Sequence, residues 1–325
     1  VYYAGSLLGG PYKLPNMRYE GFRVVTNRTP CGAQRGHGAV IARALFERQL
    51  DELAEQIGMD PVEVRLKNMM EAGDVTCNEL NMSSLGMREC VEGVRDQSGW
   101  PGKKGKTPPG KGIGMACGFF VSGAGYPIYR SRTPHCTVIV KVADVGGKVQ
   151  VLTGSADIGQ GSDTTFAMIT AEVLGVPLSD VQIQSGDTAL TVDLGAYSSR
   201  QTLMTGHATK EAAEDVRDQI VGVIAARLGV EVDTVTLEDG VIKVDGGPGD
   251  FQALRTEYMK EHRGYEDPPD GPNLTFREAS RIAFLELGSL VGTGQYRPPP
   301  LGGSYKGAAV GTSPAYGCSA QVVEV

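Results

Sequence analysis

Arg35 stands in the run PCGAQRGHG, residues 30–38, where small residues lie on both sides of its long cationic side chain. A guanidinium placed so can reach into a cavity and orient a carbonyl or carboxylate by two parallel hydrogen bonds. A salt bridge to a nearby carboxylate is the other use for it. Two further segments share the design of this one: a strand, a glycine-rich turn bearing hydrogen-bonding side chains, then the start of a helix. They are Ser155 to Asp163 and Leu194 to Thr202. A helix start offers unpaired N–H groups and the positive end of its dipole, and glycine lets a ligand approach the backbone, so each is a possible anion cradle. In the second, Gln160 can donate and accept while Ser162 and the Gly161 backbone face the helix start; Asp163 repels an anion unless it points away. In the third, Ser198, Ser199, Arg200 and Thr202 supply hydroxyls and a cation, the composition of a phosphate clamp. Arg200 reads equally well as an ordinary surface residue.

The elements that must position these loops follow from periodicity. Phe22 to Thr26 reads as a short buried strand. From Ala39 to Ile57 the apolar residues Ile41, Leu45, Phe46, Leu50, Leu53 and Ile57 recur at helical spacing, with Gly58 placed to stop the helix. Asp60, Pro61 and Glu63 form an N-cap, a first-turn proline and a capping-box partner for a second helix through about Met70. Gly99 to Gly112, dense in Pro, Gly and Lys, reads as a linker. The expected organisation is therefore residues 1–98 as the end of one domain, 99–112 as linker and 113–325 as a second domain. In the latter, Ile113 to Val121, Thr137 to Ala143, Lys148 to Thr153 and Val181 to Gln184 read as strands, the middle two as a hairpin around residues 144–147. Thr164 to Leu174 and Gln201 to Leu228 read as helices stopped by Gly175 and Gly229. Asp239-Gly240 centres a hairpin over Val235 to Val244, residues 268–272 read as a loop, and Thr275 with Glu278 opens another helix. Ser319 to Val325 reads as a strand without a partner, an unlikely place for a subunit to stop, so a fragment is expected. The fold class is α+β, mixed sheets with packed helices.

Composition narrows the chemistry. With 325 residues, 41% of them hydrophobic, and a net charge of −7, the chain can bury a sizeable core. Its basic residues are dispersed, which argues against a nucleic-acid surface. No apolar run approaches the ~20 residues of a membrane span, and no secretory signal is read at its start. Cys31, Cys77, Cys90, Cys117, Cys136 and Cys318 form no C-x-x-C pair and have no His at zinc-ligand spacing, so no iron–sulfur or zinc site is expected from them. Scattered single thiols point to a reducing compartment, the cytoplasm. His135, His207 and His262 read as isolated residues; His37 alone lies in a segment with further claims.

PCGAQRGHG, a helix, and then MDPVEVRLKNMM together resemble the molybdopterin-binding subunit of the molybdenum hydroxylases, the xanthine dehydrogenase and aldehyde oxidase family. The counterpart loop there reads A-x-R-G-F-G ahead of D-P-x-x-x-R-x-x-N. GSADIGQG resembles the family's G-x-x-x-x-G-Q-G segment, and GAYSSRQTLMTG its Ser/Thr-rich loop before a long helix. The resemblance implies a molybdopterin cofactor with molybdenum, in bacterial members often the cytosine dinucleotide form. It implies that Ala33, Gln34, Arg35, Gly159, Gln160, Gly161, Ser162, Tyr197, Ser198, Ser199, Arg200, Gln201 and Thr202 contact that cofactor. Arg35 then stands at the substrate pocket as the catalytic residue that orients substrate or stabilises developing charge. The metal is held by the pterin in this family, so no residue here need ligate it. The family reaction hydroxylates a carbon of an aromatic, heterocyclic or aldehyde substrate with oxygen from water, a glutamate acting as base. Electrons leave through 2Fe-2S clusters and commonly FAD, which partner subunits or further domains must supply, so a hetero-oligomer is expected.

Departures from the pattern matter. The family's G-x-G-E segment with the catalytic Glu is absent, and Glu324 lies in a strand pattern; the F-G-G-K segment ahead of the Arg loop is absent too. His37 replaces a common Phe. Gly36 stands where carbon monoxide dehydrogenases carry a copper-binding Cys, which argues against that activity. AQRGHG and GAYSSR look closest to the 4-hydroxybenzoyl-CoA reductase branch, which runs a reductive dehydroxylation on an aryl-CoA. A non-catalytic, cofactor-holding half of a split large subunit is an alternative. A Rossmann-type nicotinamide enzyme is disfavoured, because no G-x-G-x-x-G follows a strand.

Overall fold

A computed structural model describes residues 2–30, 32, 34–123, 134–143, 147–245, 251–261, 273–299 and 313–325. Cys31, Ala33, residues 144–146, His262 and the loop 268–272 lie outside them. The chain forms two compact units, residues 1–131 with 299–325, and residues 132–298. The α+β class expected from the sequence is what both units show.

The first unit contains helices α1 (Tyr2–Ser6), α2 (Ala39–Gln56), α3 (Pro61–Asn68), α4 (Met87–Ser98) and α5 (Trp100–Lys103), strand β1 (Ile113–Val121) and, from the end of the chain, strand β9 (Tyr316–Glu324). The Asp60 side chain caps α3 by accepting from Val62 N at 2.7 Å, as its Asp-Pro-x-Glu start requires. Strand β9 pairs antiparallel with β1 along its whole length, Ile113 opposite Glu324 and Val121 opposite Tyr316. The expectation of a partnerless last strand is thereby corrected.

Three further readings are corrected in this unit. Phe22 to Thr26 forms no strand, and Phe22 and Val25 are 82% and 95% exposed; no strand among the described residues pairs with it. Residues 99–112 are no bare linker, because Trp100 is buried and donates its indole N–H to Asp60 at 3.0 Å, anchoring the segment in the first unit. The division of the chain falls after residue 131 instead. Helix α2 has the expected span, yet its buried residues are Ala39, Ala42, Arg43, Glu47 and Ala54, while Ile41, Leu45, Leu53 and Ile57 face outward.

The inward face of α2 explains why two charges can be buried. Glu47 accepts from Tyr12 Oη at 2.8 Å, from Arg65 Nε at 2.8 Å and from the Cys117 amide at 3.1 Å, with Arg43 at 3.5 Å. Arg65 also reaches Asp51 at 2.7 Å and the Glu47 carbonyl at 3.0 Å. Each buried carboxylate oxygen has donors, which is the condition for tolerating a buried ion pair.

The second unit is built on a four-stranded sheet in the order β4 (Val181–Gln184), β3 (Val149–Thr153), β2 (Cys136–Val142), β8 (Val291–Tyr296). Strands β2 and β3 form the expected antiparallel pair, and β3 returns through helix α6 (Ser162–Leu174) to the parallel β4. Helix α7 (Gly206–Leu228) lies on this sheet, burying Ala208, Ala212, Val216 and Ile220 with Val138, Val140, Val149 and Val151. Strand β8 carries glycines because the helix touches it. A side chain at Gly292 or Gly294 would collide with the carbonyl oxygens of Ala212 and Ala208. A smaller sheet joins β5 (Val235–Glu238), β6 (Val241–Val244) and β7 (Leu274–Thr275). Helix α8 (Phe251–Glu261) precedes β7, and α9 (Phe276–Leu287) follows it. Asp239 and Gly240 turn the β5–β6 hairpin with φ of 51° and 74°, and Thr275 and Glu278 form the expected capping box of α9.

Candidate functional site

In the second unit, two of the three glycine-rich loops are one structure. The Ser155 hydroxyl, buried ahead of α6, donates to the buried Gln201 amide oxygen at 2.7 Å. Asp193 works from the other side. It accepts from Gly195 N at 2.7 Å, from Thr205 Oγ1 at 2.8 Å and from Gln201 Nε2 at 3.4 Å.

Between these anchors the backbone is strained. Ser198 and Ser199 are both left-handed, φ 52° and 51°, a conformation costing a non-glycine residue about 1–3 kcal/mol. The following turn, Gln201–Thr205, is a π-helix, and Gly206 N donates back to Gln201 O. Both features persist only where surroundings over-determine them, and both concentrate at functional sites. Ser198 is buried, whereas Ser199 and Thr202 are exposed.

Arg200 is turned into the protein and is no surface residue. The residue as a whole is 2% exposed. It donates to the carbonyls of Gly195 at 3.1 Å and His135 at 3.2 Å, contacts Met204 Sδ at 3.3 Å and stacks over Tyr197 at 5.2 Å. It therefore braces the loop from within. No carboxylate is among those partners, so its charge is balanced by backbone carbonyl dipoles and a ring face.

The loop before α6 also supplies its own anion. Asp157 accepts from the backbone N–H groups of Gly159 at 2.7 Å, Asp163 at 3.3 Å and Gly161 at 3.4 Å. The bond from Gly159 N, followed by those from the helix start, holds the Asp157 carboxyl below the usual carboxylate range. Gln160 is likewise spent locally: its oxygen accepts from Ile158 N at 2.7 Å, and its Nε2 donates to Ser162 Oγ at 2.9 Å and Ala156 O at 3.2 Å. Ser162 is buried under that contact. What this turn leaves open is backbone: nothing lies within 4 Å of where a side chain would stand at Gly159 or Gly161.

Arg35 belongs to the first unit. Gln34 and Arg35 are exposed, and the turn after them has φ of 90°, 48° and 90° at Gly36, His37 and Gly38. His37 is wedged edge-on against Tyr3 at 4.9 Å and Phe120 at 6.1 Å, and burial lowers its pKa. Arg35 is thus presented outward from a turn whose conformation the ring contacts fix. Glu324 pairs with Lys103 at 2.5 Å on the surface, away from any candidate role.

Sequence reasoning missed Ser155, Asp157 and Asp193. Asp157 and Asp193 each stand two residues before a glycine, the local signature of a side chain turning onto its own backbone. Ser155 carries no local signal, since its partner is 46 positions away. Among the described residues there is no group of three or more His, Cys, Asp or Glu that could hold a metal ion, and no helix long and apolar enough to cross a membrane.

Residues 93–325 match a family model described as a molybdopterin cofactor-binding domain, and residues 1–69 match a second model of the same description. The xanthine dehydrogenase molybdenum-binding subunit of Escherichia coli is 32% identical over 235 residues, 69% of this chain and 30% of that relative. The nicotine 6-hydroxylase large subunit of Paenarthrobacter nicotinovorans is 28% identical over 284 residues, 83% of this chain and 35% of its own length. Among solved structures, quinoline 2-oxidoreductase from Pseudomonas putida superposes with a TM-score of 0.77 at 26% identity, over 100% of this chain and 40% of that one. Aldehyde oxidoreductase from Desulfovibrio gigas, at 22% identity and TM-score 0.68 over 100% of this chain and 31% of that one, shares the fold. The chain thus spans about a third of the length of these relatives.

Proposed function

The chain belongs to the molybdopterin cofactor-binding domain family of the xanthine dehydrogenases and aldehyde oxidases, and from that premise we propose that the Ser155 to Asp163 and Leu194 to Thr202 loops hold the cofactor of a molybdenum-dependent oxidoreductase. The observation that carries the assignment is the pair of left-handed serines ahead of a π-turn, locked by Asp193, Gln201 and Arg200. Strain of that kind is kept where a ligand uses it. The residues fit a pterin nucleotide in a particular way. The outward hydroxyls of Ser199 and Thr202 offer neutral hydrogen-bond donors, and nothing stands over the backbone at Gly159 and Gly161, so a ligand can approach that turn closely. Arg200 braces the serine loop, and Gln160 and Asp157 fix the glycine turn, without themselves gripping the ligand. When bound, such a cofactor supplies the two-electron centre at which a substrate carbon is oxidised with oxygen from water.

Arg35, presented from its fixed turn, is the residue of the first unit that orients substrate or stabilises developing charge. The relatives named for xanthine, nicotine and quinoline support a heterocycle as substrate class. A cytosine dinucleotide form of the pterin, and iron–sulfur and flavin partner subunits in a hetero-oligomer, complete the proposal. The five described cysteines, Cys77, Cys90, Cys117, Cys136 and Cys318, are free thiols, which supports a reducing, cytoplasmic setting. Extraction of the purified complete protein tests the reading: a fluorescent oxidised pterin with molybdenum supports it, and a preparation that binds a nicotinamide nucleotide and no pterin refutes it.

A further inference from the structure

Helix α4 lies along strand β9, and a cysteine stands on each side of the contact. Cys318, Ala320 and Val322 alternate along β9 and so share one face, which packs with Met87, Val91 and Val94 of α4 in the core of the first unit. Cys90 stands three residues after Met87 and four before Val94, on the same side of the helix. Cys90 and Cys318 are both half-buried, whereas Cys117 and Cys136 are 3% and 0% exposed. An oxidant can therefore reach the first two and not the others.

The two thiols converge on the first turn of α4. The Cys90 thiol is directed at the Cys318 carbonyl oxygen, 3.9 Å away. The sulfur of Cys318 accepts from the amide of Gly86, the residue that precedes the helix. Cys90 N donates to the Gly86 carbonyl at 3.3 Å, and a helical side chain leans toward the start of its helix, so the Cys90 sulfur overlies that same turn. A disulfide needs α-carbons within about 7 Å and side chains that point together. Thiols gathered on one turn of a helix that packs on the strand are directed in that way. Burial raises the Cys318 thiol above its ordinary range against the pull of the Gly86 amide, and the nearby Cys90 and Glu89 add to the rise. Cys318 therefore rests protonated near neutrality.

We infer that Cys90 and Cys318 are a redox-sensitive pair, which a disulfide oxidant such as oxidised glutathione closes into a bond fastening β9 to α4. One sulfur, as its thiolate, displaces a glutathione thiolate and forms a mixed disulfide; the other sulfur then displaces the second glutathione. The protein loses two electrons and two protons, and oxidised glutathione is reduced to two glutathione thiols. In a reducing compartment the pair stays open. The bond ties positions 228 residues apart, and a cross-link that closes a long loop restricts the unfolded chain most. It thereby holds the β1–β9 ribbon, a two-stranded sheet of a kind that is marginal by itself. That ribbon carries Phe120, which meets His37 behind the Arg35 turn. The inference uses no property of the cofactor loops and stands apart from their assignment.

The test uses the complete protein as purified, incubated with oxidised glutathione, blocked with iodoacetamide and digested without reduction for mass spectrometry. The expected product is one peptide pair joined through Cys90 and Cys318, lighter than the two free peptides by two hydrogens and separated by dithiothreitol. In the Cys90→Ser and Cys318→Ser variants the pair is absent and the remaining cysteine carries a glutathione. Hydrogen exchange at the β9 amides is expected to slow severalfold on oxidation of the native protein and to stay as it was in either variant. Glutathione on Cys90 and Cys318 without the joined pair would overturn the proposal. So would a bond from either cysteine to a different one, two thiols left unmodified, or a joined pair that leaves exchange in β9 unaltered.

Discussion

Ser155 and Gln201 share a buried hydrogen bond of 2.7 Å across 46 residues of sequence, and it makes the loops ahead of α6 and α7 a single unit. Ser155→Ala leaves the Gln201 oxygen without that donor, and Gln201→Leu strands the hydroxyl; each is expected to cost about 1–3 kcal/mol. The double variant is expected to lose less than the sum, with a coupling of about 0.5–3 kcal/mol. Urea unfolding of the four proteins measures it, and strictly additive losses would mean the loops are independent.

Asp157 is held ionised by the N–H groups of its own loop. Because its folded-state pKa lies below the unfolded value near ~3.9, its contribution is present above that pH and disappears as pH falls through the lower, folded value. Protection of the Gly159 amide against hydrogen exchange is therefore expected to persist from neutrality to below about pH 4 and to fail only as pH falls through the lower, folded value. In Asp157→Ala the protection should be missing at every pH. Unchanged protection in that variant would remove Asp157 as the organiser.

Strand β8 is the edge of its sheet, and α7 covers it with a ladder of side chains. Glu211 accepts from Gln295 N at 2.7 Å, Asp215 from Thr293 N at 3.1 Å, and Gln219 Nε2 donates to Val291 O at 3.0 Å. Unpaired edges template aggregation. The Glu211→Ala, Asp215→Ala double variant is expected to lose protection at the Thr293 and Gln295 amides and to scatter light increasingly with concentration. A monodisperse variant with both amides still protected would show that the ladder does not guard the edge.

These side chains also show where the sequence was legible. Signals that act within a few residues read correctly: Gly175 and Gly229 are left-handed helix stops, Asp239-Gly240 turns a hairpin, and Thr275 with Glu278 caps α9. The three loop motifs pointed to the right family. Helix α4 was missed although Met87, Val91 and Val94 keep helical spacing and Gly99 ends it. Strand β8 was missed because Gly292 and Gly294 weaken any strand signal, and they are there for a helix 80 residues earlier in the chain. Arg200 and the face of α2 share that cause. What an arginine or a leucine faces is decided by residues far away, here the His135 carbonyl for one and the ion cluster around Glu47 for the other.

Arg35→Ala, made in the complete enzyme, is expected to lower kcat/KM by about 10²–10³-fold, the loss typical of a single charge-stabilising donor. Molybdenum content should stay near normal, because the cofactor donors are assigned elsewhere. Arg35→Lys should restore little, since an ammonium cannot reproduce the planar fork. Steady-state kinetics with metal analysis on the same preparations separates these outcomes, and unchanged kinetics would take Arg35 out of the site.

The assignment of the cofactor loops turns on Ser199 and Thr202. Ser199 sits at φ 51°, where glycine is more at ease, so Ser199→Gly removes a hydroxyl without weakening the fold. The deciding measurement is the ratio of molybdenum and pterin to polypeptide in the Ser199→Gly, Thr202→Val enzyme. A severalfold drop with an unaltered melting temperature is the expected result; full occupancy would contradict the placement of the cofactor.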